Sequence, residues 1–500
     1  MSDPTASTCD LLVVGGGING VGIARDAAGR GLSVMLVERR DLACATSSAS
    51  SKLVHGGLRY LEQREIRLVR ESLAEREVLL AAAPHLIRPL RFILPVHSGL
   101  RPAWQLRAGL FLYDHIGGRE RLPPTRTVRR GHRGEVKLTA LQDRFKLGFE
   151  YSDCLADDAR LVVVNAIDAR IRGARIEVGW ALESAQRQGL AWEVGLRSLS
   201  GERRVVRARA LINAAGPWVE TVLRRARENR AHWLRLVKGS HIVVRRLYDG
   251  AHAYTLQSGD GRIVFTIPYE DDFTLIGTTD VPFTGEPEPI RPAAAEVDYL
   301  CRLVSGYFKR SIAPEDVWWS YSGVRPLYDD GEASASTVTR DYVFDLDAPP
   351  DAAPLLSVFG GKLTTYRKLA EHALAQLLPK MGVSAAPWTR AAQLPGGDFP
   401  QGDLESFVAE NLRRYPFASE RLIRRMSRAY GTRIERVLPN GRGAAALGEE
   451  VAPDVYESEL AYLRAQEWAR SGEDVLWRRS KLGIHLDGAQ RQAVTDWFAR

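Results

Sequence analysis

The segment from Asp10 to Gly20, DLLVVGGGING, constrains the fold more than any other part of the chain. Its apolar run, Leu11 to Val14, reads as a buried parallel strand that runs straight into G-x-G-x-x-G at Gly15, Gly17 and Gly20. An Ala-rich helical pattern follows from Val21 to Gly29, then a second apolar strand from Leu32 to Val37, ending in Glu38. Each glycine has its own task. Gly15 permits the tight turn, Gly17 lets the backbone approach a pyrophosphate, and Gly20 lets the helix pack on the strand. The helix start offers N–H groups and the positive dipole end to phosphates, and Glu38 stands where an acid accepts hydrogen bonds from a ribose. A glycine loop alone is common. With strand, helix, second strand and terminal acid in order, it predicts a dinucleotide-binding unit, without choosing between FAD and NAD.

The next segment bears on that choice. Residues 46–60, TSSASSKLVHGGLRY, are small and polar and end in a double glycine. They start soon after the second strand, where their hydroxyls and N–H groups can run along an extended dinucleotide and meet diphosphate and ribityl oxygens.

Composition narrows the class. At 500 residues and 45% hydrophobic content the chain can bury the cores of two or three domains, and it shows no internal repeat. Cys9, Cys44, Cys154 and Cys301 form no C-x-x-C pair, which argues against zinc, iron–sulfur clusters and a disulfide framework; no metal is expected. The acids Asp153, Asp157 and Asp158 read as a loop with helix capping. The first residues lack a basic-then-apolar signal pattern, and no apolar run is long enough to span a bilayer. The expectation is a cytoplasmic chain, soluble or peripheral to the inner face of the membrane. The net charge of +8 comes without a basic stripe or reading module, so nucleic acid is not expected; anionic lipid or an anionic substrate fits better.

Further along, Val205 to Ala215 reads as a strand ending in the small residues Asn213-Ala-Ala-Gly216. Leu355 to Phe359 is another apolar strand, broken by Gly360-Gly361, with a helical pattern from Lys362 to Leu378. Between these, alternation suggests an antiparallel sheet, with His241 to Val244 on one strand. Arg262 to Pro268 and Phe273 to Thr279 form a hairpin turning at Glu270-Asp271-Asp272. Ile66 to Ala83 and Pro102 to His115 are amphipathic helices. Leu394-Pro-Gly-Gly397 marks a linker into a helical segment packed by Trp468, Trp477 and Trp497, in which no chemistry is legible. That segment suits a docking or homodimer surface or a stabilising appendage. The predicted architecture is α/β. A Rossmann-like FAD-binding domain is assembled from 1–75, 148–234 and 345–385, an antiparallel-sheet substrate domain from 76–147 and 235–344, and a small C-terminal helical domain from 390–500.

These blocks resemble the FAD-dependent glycerol-3-phosphate dehydrogenase family. The resemblance rests on DLLVVGGGINGVGIARDAAGRGLSV, DLACATSSASSKLVHGGLRYLE, GFEYSDCLADDARLV, INAAGPWV, KGSHIVV, IGTTDV, YSGVRPL, TRDY, SVFGGKLTTYRKLAEHAL and EDVLWRRSKLGIHL, spread over nearly the whole chain. Ala215 and Tyr269 depart from it, standing where relatives often have threonine and tryptophan. The resemblance implies FAD bound by Gly15, Gly17, Asn19, Gly20, Glu38, Thr46, Ser47, Ser51, Lys52, Leu53, His55, Gly216, Gly361, Leu363 and Thr364. It implies glycerol 3-phosphate as substrate, with Arg59, Tyr60, Thr279 and Arg340 in binding and His241, Arg325 and Lys362 in catalysis. Arginine suits phosphate because its planar fork makes two parallel hydrogen bonds. His55 and His241 are the candidate bases, since imidazole titrates near working pH, and His241 is preferred. The electron acceptor implied is a membrane quinone. The alternatives are an oxygen-using glycerol-3-phosphate oxidase, an amine or amino-acid oxidase on the same scaffold, and a flavin-binding sensor without turnover. The segment from Leu100 to Tyr113, which mixes basic, aromatic and aliphatic residues, is the candidate contact with anionic membrane.

Overall fold

The computed structural model describes residues 7–61, 65–97, 101–132, 137–226, 234–329, 341–399, 403–438 and 443–500. Two large sheets form its framework. In the first, β1 (Ser7–Val14) lies between β2 (Val34–Glu38) and the strand Arg203–Asn213, parallel to both. The strand Leu355–Phe359 extends the parallel set beyond Arg203–Asn213, and Arg175–Val178 extends it beyond β2. Leu11, Leu12 and Val13 are fully buried because separate apolar clusters cover the two faces of this sheet. That is why β1 reads as a continuous apolar run rather than an alternating one. The crossover between β1 and β2 is α1 (Ile18–Gly29).

The second sheet has ten strands and is mostly antiparallel, as expected. Its long pair, Leu234–Arg245 with Val317–Tyr328, runs beside the hairpin Ile263–Tyr269 and Phe273–Gly277. That hairpin turns at Glu270 and Asp271, whose φ of 44° and 58° gives the left-handed backbone a tight turn needs. Leu53–Val54 and Leu147–Ala156, grouped with the cofactor half on sequence, pair in this second sheet. Helix α2 (Ala103–Ile116) buries Leu106, Leu110 and Tyr113 against it. The C-terminal end of the strand Leu147–Ala156 leads into α3 (Asp158–Ile171), buried from Asp158 to Ala169 on every face and so carrying no polar stripe.

The C-terminal region is helical, and three of the readings around it change. Leu394 to Gly397 is not an open linker: Leu394 is buried, its N–H donates to Ala82 O, and Gly396 O accepts from Thr432 N. A Cβ on Gly396 would collide with the Tyr430 carbonyl at the end of α4 (Glu420–Tyr430), so the glycine serves close packing. Trp497 does enter the C-terminal core. Trp477 packs against that core and also stacks on Trp319 of the second sheet at 4.7 Å, whereas Trp468 lies under the Arg170 guanidinium of α3 at 4.5 Å. Third, the helix expected from Lys362 begins at Tyr366, because Gly360 and Gly361 hold φ of 72° and 94° and Lys362–Thr365 form a turn first.

The C-terminal region is fixed to the rest by buried charge. Arg160 of α3 pairs with Glu467, Nη2 to Oε1 being 3.0 Å, and both side chains are almost fully buried. Arg479 binds Asp41 through two hydrogen bonds of 2.7 Å. Removing one member of such a pair strands a buried charge. Glu467→Gln is therefore expected to cost about 3–5 kcal/mol in urea denaturation. Glu405→Gln, which breaks the exposed pair with Arg424, is expected to cost at most about 1 kcal/mol.

Candidate active site

A cavity of about 560 Å³ opens at the carboxyl ends of the first sheet's strands and continues against the second sheet. That is where open α/β sheets bind ligands. One wall is the glycine turn. Gly15, at φ 116°, lies so close to Ala214 that a Cβ would overlap its carbonyl, and a Cβ on Gly20 would overlap the Gly15 carbonyl. Glu38 Oε2 accepts from Gly16 N at 2.8 Å and Oε1 from Arg40 N at 2.9 Å, so the acid is locked at the cavity's rim. Burial raises its pKa above the ordinary carboxylate value. Ser47 Oγ accepts from Ile18 N at 3.0 Å, tying residues 46–48 to the start of α1. Asn19 Nδ2 donates to Gly360 O at 3.1 Å while its Oδ1 is buried with no protein partner. Gly216, Gly361, Leu363 and Thr364 complete this wall, with Thr364 Oγ1 accepting from His55 N at 3.1 Å. A glycine cradle, an acid at one end and an open buried acceptor fit a dinucleotide.

At the other end Arg59, Tyr60, Arg325 and Lys362 line the same cavity. The Lys362 ammonium lies 3.8 Å from the Tyr60 ring centroid. Arg325 donates to Asp280 Oδ1 at 2.5 Å and to Thr278 Oγ1 at 3.1 Å, and Arg59 stands 3.9 Å from Asp280 Oδ2. Residues 59, 325 and 362 come from distant parts of the chain, and the fold brings their charges to one place. Arg340 lies outside the described residues.

Three expected site residues stand elsewhere. His241 is 2% exposed and does not line the cavity. It stacks on Tyr321, and its Nε2 is 2.9 Å from the Ser51 hydroxyl, so it sits behind the cavity wall. Burial, then the charges of Arg325 and Lys52, hold its pKa well below the ordinary histidine value. Lys52 turns its ammonium away from the cavity to Asp158, at 2.8 and 3.0 Å, and to Ser48 O. Thr279 is buried, donating to Glu296 Oε1 at 2.7 Å and accepting from Ser240 N. Thr46 lines the cavity but spends its hydroxyl on Val324 O at 2.6 Å, joining the two halves. Ser51, Leu53 and His55 face the cavity as expected.

Sequence reasoning gave no role to Asp280 and read Asp153 as part of a capping loop. Asp280 sits inside the quoted IGTTDV block, which was the only signal for it. Asp153 is on a strand rather than a loop and lines the cavity. It accepts from Arg76, from the Tyr113 hydroxyl and from Gly56 N, fixing the backbone next to His55. Asp157 does cap α3, accepting from Arg160 N.

Known proteins place this arrangement. The FAD dependent oxidoreductase family profile matches residues 10–367, and the profile for the C-terminal domain of alpha-glycerophosphate oxidase matches 387–498. The glycerol-3-phosphate dehydrogenase of Pseudomonas aeruginosa is 52% identical over 98% of this chain and 95% of its own length. The D-erythritol 1-phosphate dehydrogenase of Brucella abortus is 50% identical over 100% of this chain and 99% of its own. The solved glycerol-3-phosphate dehydrogenase of Bacillus halodurans, complexed with FAD, superposes with a TM-score of 0.77 at 28% identity, covering 99% of this chain and 91% of that one.

Proposed function

The chain belongs to the FAD-dependent glycerol-3-phosphate dehydrogenase family, and on that premise we propose that it oxidises sn-glycerol 3-phosphate to dihydroxyacetone phosphate and passes the electrons to a membrane quinone. The observation that carries this reading is the meeting of Arg59, Arg325 and Lys362 at the end of the dinucleotide cavity. A doubly charged phosphate needs several cations in a partly desolvated place, and these three supply them. Asp280, between Arg325 and Arg59, holds the guanidiniums in position. FAD, when bound along the glycine cradle, supplies the acceptor for the C2 hydride. The C2 hydroxyl proton goes to His55, which lines the cavity, rather than to His241, which does not. Asp153 and Tyr113 keep His55 in place by holding Gly56 N.

The direct test is anaerobic addition of sn-glycerol 3-phosphate to the FAD-loaded protein. The flavin absorbance is expected to bleach and to return on adding a quinone. Return with oxygen alone, together with peroxide formation, would make the protein an oxidase. D-Erythritol 1-phosphate in the same assay measures preference between the two phosphorylated polyols.

Site roles follow from variants. Arg325→Met keeps bulk and deletes the donors, so kcat/KM for the phosphorylated substrate is expected to fall roughly 30-fold to several thousandfold. Unphosphorylated glycerol is expected to lose far less, and equal losses would place Arg325 at the hydroxyl or the cofactor. In the pH profile, His55→Asn is expected to remove the acid limb and His241→Asn to leave it in place. The reverse result would restore His241 as the base.

For the membrane, no helix among the described residues is long and apolar enough to cross a bilayer. Helix α2 instead exposes Trp104 at 74% and Phe111 at 64%, with Arg101 and Arg107 nearby, a pattern that suits interfacial contact and access to a lipid-soluble quinone. Arg101→Glu with Arg107→Glu is expected to weaken binding to phosphatidylglycerol vesicles while leaving activity with a soluble dye intact. Unchanged vesicle binding would move the membrane face off α2.

A further inference from the structure

A second cavity, of about 730 Å³, lies between the C-terminal region and the second sheet, and the proposed reaction does not use it. Helix α4 presents Arg421, Arg424, Arg425 and Arg428 to it, at the i, i+3, i+4, i+7 spacing that puts four side chains on one helix face. The first three are neutralised by Asp454, by Glu405 and Glu420, and by Glu459. Arg428 and Arg88 both line the cavity, and neither has a carboxylate within salt-bridge distance among the described residues. Arg428 Nε is buried without a hydrogen-bond partner. Burial, and then the charge of Arg428, lower the pKa of Arg88, while Glu270, Asp271 and Asp157 act the other way, so the two guanidiniums stand near each other in a cavity that also carries those acids.

Beside them His85 is 4% exposed and lines the same cavity, and neither of its buried ring nitrogens has a partner. Burial holds its pKa down to about 3, which leaves a neutral ring with one donor and one acceptor. Asp157, Glu270 and Asp271 also line the cavity. Burial and the neighbouring Asp157 raise Glu270, against the charges of Lys481 and Arg88, so these acids face cations of the same cavity without closing a salt bridge to Arg88 or Arg428 among the described residues.

The buried, unpartnered nitrogens of Arg428 and His85 in a cavity rich in arginine describe a ligand. A phosphate group answers a pair of guanidiniums and an adjacent imidazole, and hydroxyls on its tail donate to the carboxylates. A bare apolar molecule would leave the buried Arg428 Nε and both His85 ring nitrogens unsatisfied, at a desolvation cost. We propose that this cavity is a second, non-catalytic binding site for a small phosphorylated polyol or sugar.

The test uses the FAD-loaded chain and glycerol 2-phosphate, whose C2 carries phosphate in place of the hydroxyl that would be oxidised. Equilibrium dialysis is expected to show a class of binding that Arg325→Met keeps. Arg88→Gln with Arg428→Gln is expected to weaken that class more than roughly tenfold, with the KM for sn-glycerol 3-phosphate unchanged. Arg88→Lys with Arg428→Lys retains the charges and is expected to keep it. If the glutamine pair does not hold FAD, Arg428→Gln alone is read in the same way. Binding that is unaffected by the glutamine variants, or that disappears entirely in Arg325→Met, overturns the proposal. Because the class is defined by what survives Arg325→Met, this result and the test of the catalytic reading fail separately.

Discussion

The buried pair between Lys52 and Asp158 is the interaction on which the site depends. Lys52 is in left-handed backbone, φ 57°, and both side chains are almost wholly out of water. Two ions taken out of water are stable there only if every remaining hydrogen-bonding position is used. Here it is: Asp158 also accepts from the Ser50 hydroxyl and from Ala159 N, and Lys52 donates to Ser48 O. The pair sits at the start of α3 and fixes the crossing of residues 46–54 from the glycine turn to the second sheet. Ser51 and Leu53 face one cavity while Lys52 between them, turned by its left-handed backbone, faces the other. Although burial alone would raise Asp158, the charges of Lys52 and Lys481 hold its pKa below the ordinary value, so it remains an anion there.

Charge is arranged around this pair with a consistent logic. Histidines set back from the first cavity are kept neutral, as His241 is, and cations line the end where a substrate phosphate would come. Asp280 is not at odds with that end. Without an acid, Arg59 and Arg325 would repel each other in a partly desolvated pocket; with it, both are held at the cavity wall. Asp153 plays the corresponding part beneath His55, where Arg76 balances it against a burial that would otherwise raise its pKa further.

What the sequence made legible follows from how local each requirement is. The glycine turn, Glu38 and the Gly360-Gly361 break were readable because backbone sterics demand particular residues in a short window. The strand Leu355–Phe359 came out with its true ends for the same reason. Side-chain direction was not readable. His241, Thr279 and Lys52 each stand beside residues that line a cavity, and resemblance carries a position across without saying which face of the strand it takes. Composition also misled at Leu394 to Gly397, where glycine reads as flexibility but here permits two backbones to touch. Asp280 escaped notice because an acid near an anionic substrate looks unhelpful until the arginines it holds are seen, and Asp153 reads as part of a capping loop because its strand and its partner Arg76 are set by contacts distant in sequence.

The C-terminal region gains a role from the same accounting of buried charge. Asp41 lies three residues beyond Glu38, the acid beside the glycine cradle, and it is held by Arg478 and Arg479. Burial would raise Asp41, but the two arginines bring its pKa below the ordinary value, so the loop after β2 carries a charge that these two residues of the C-terminal region neutralise. Arg479 also donates to Glu467 O, and Glu467 is the partner of Arg160 on α3, whose first residue is Asp158. Buried ion pairs and a hydrogen bond to the Glu467 carbonyl thus link the loop after β2, through the C-terminal region, to α3, which begins at the pair beneath residues 46–54. A segment in which no chemistry was legible is therefore part of what holds the cofactor site in shape, which explains why it packs through arginine and tryptophan rather than hanging from a flexible linker.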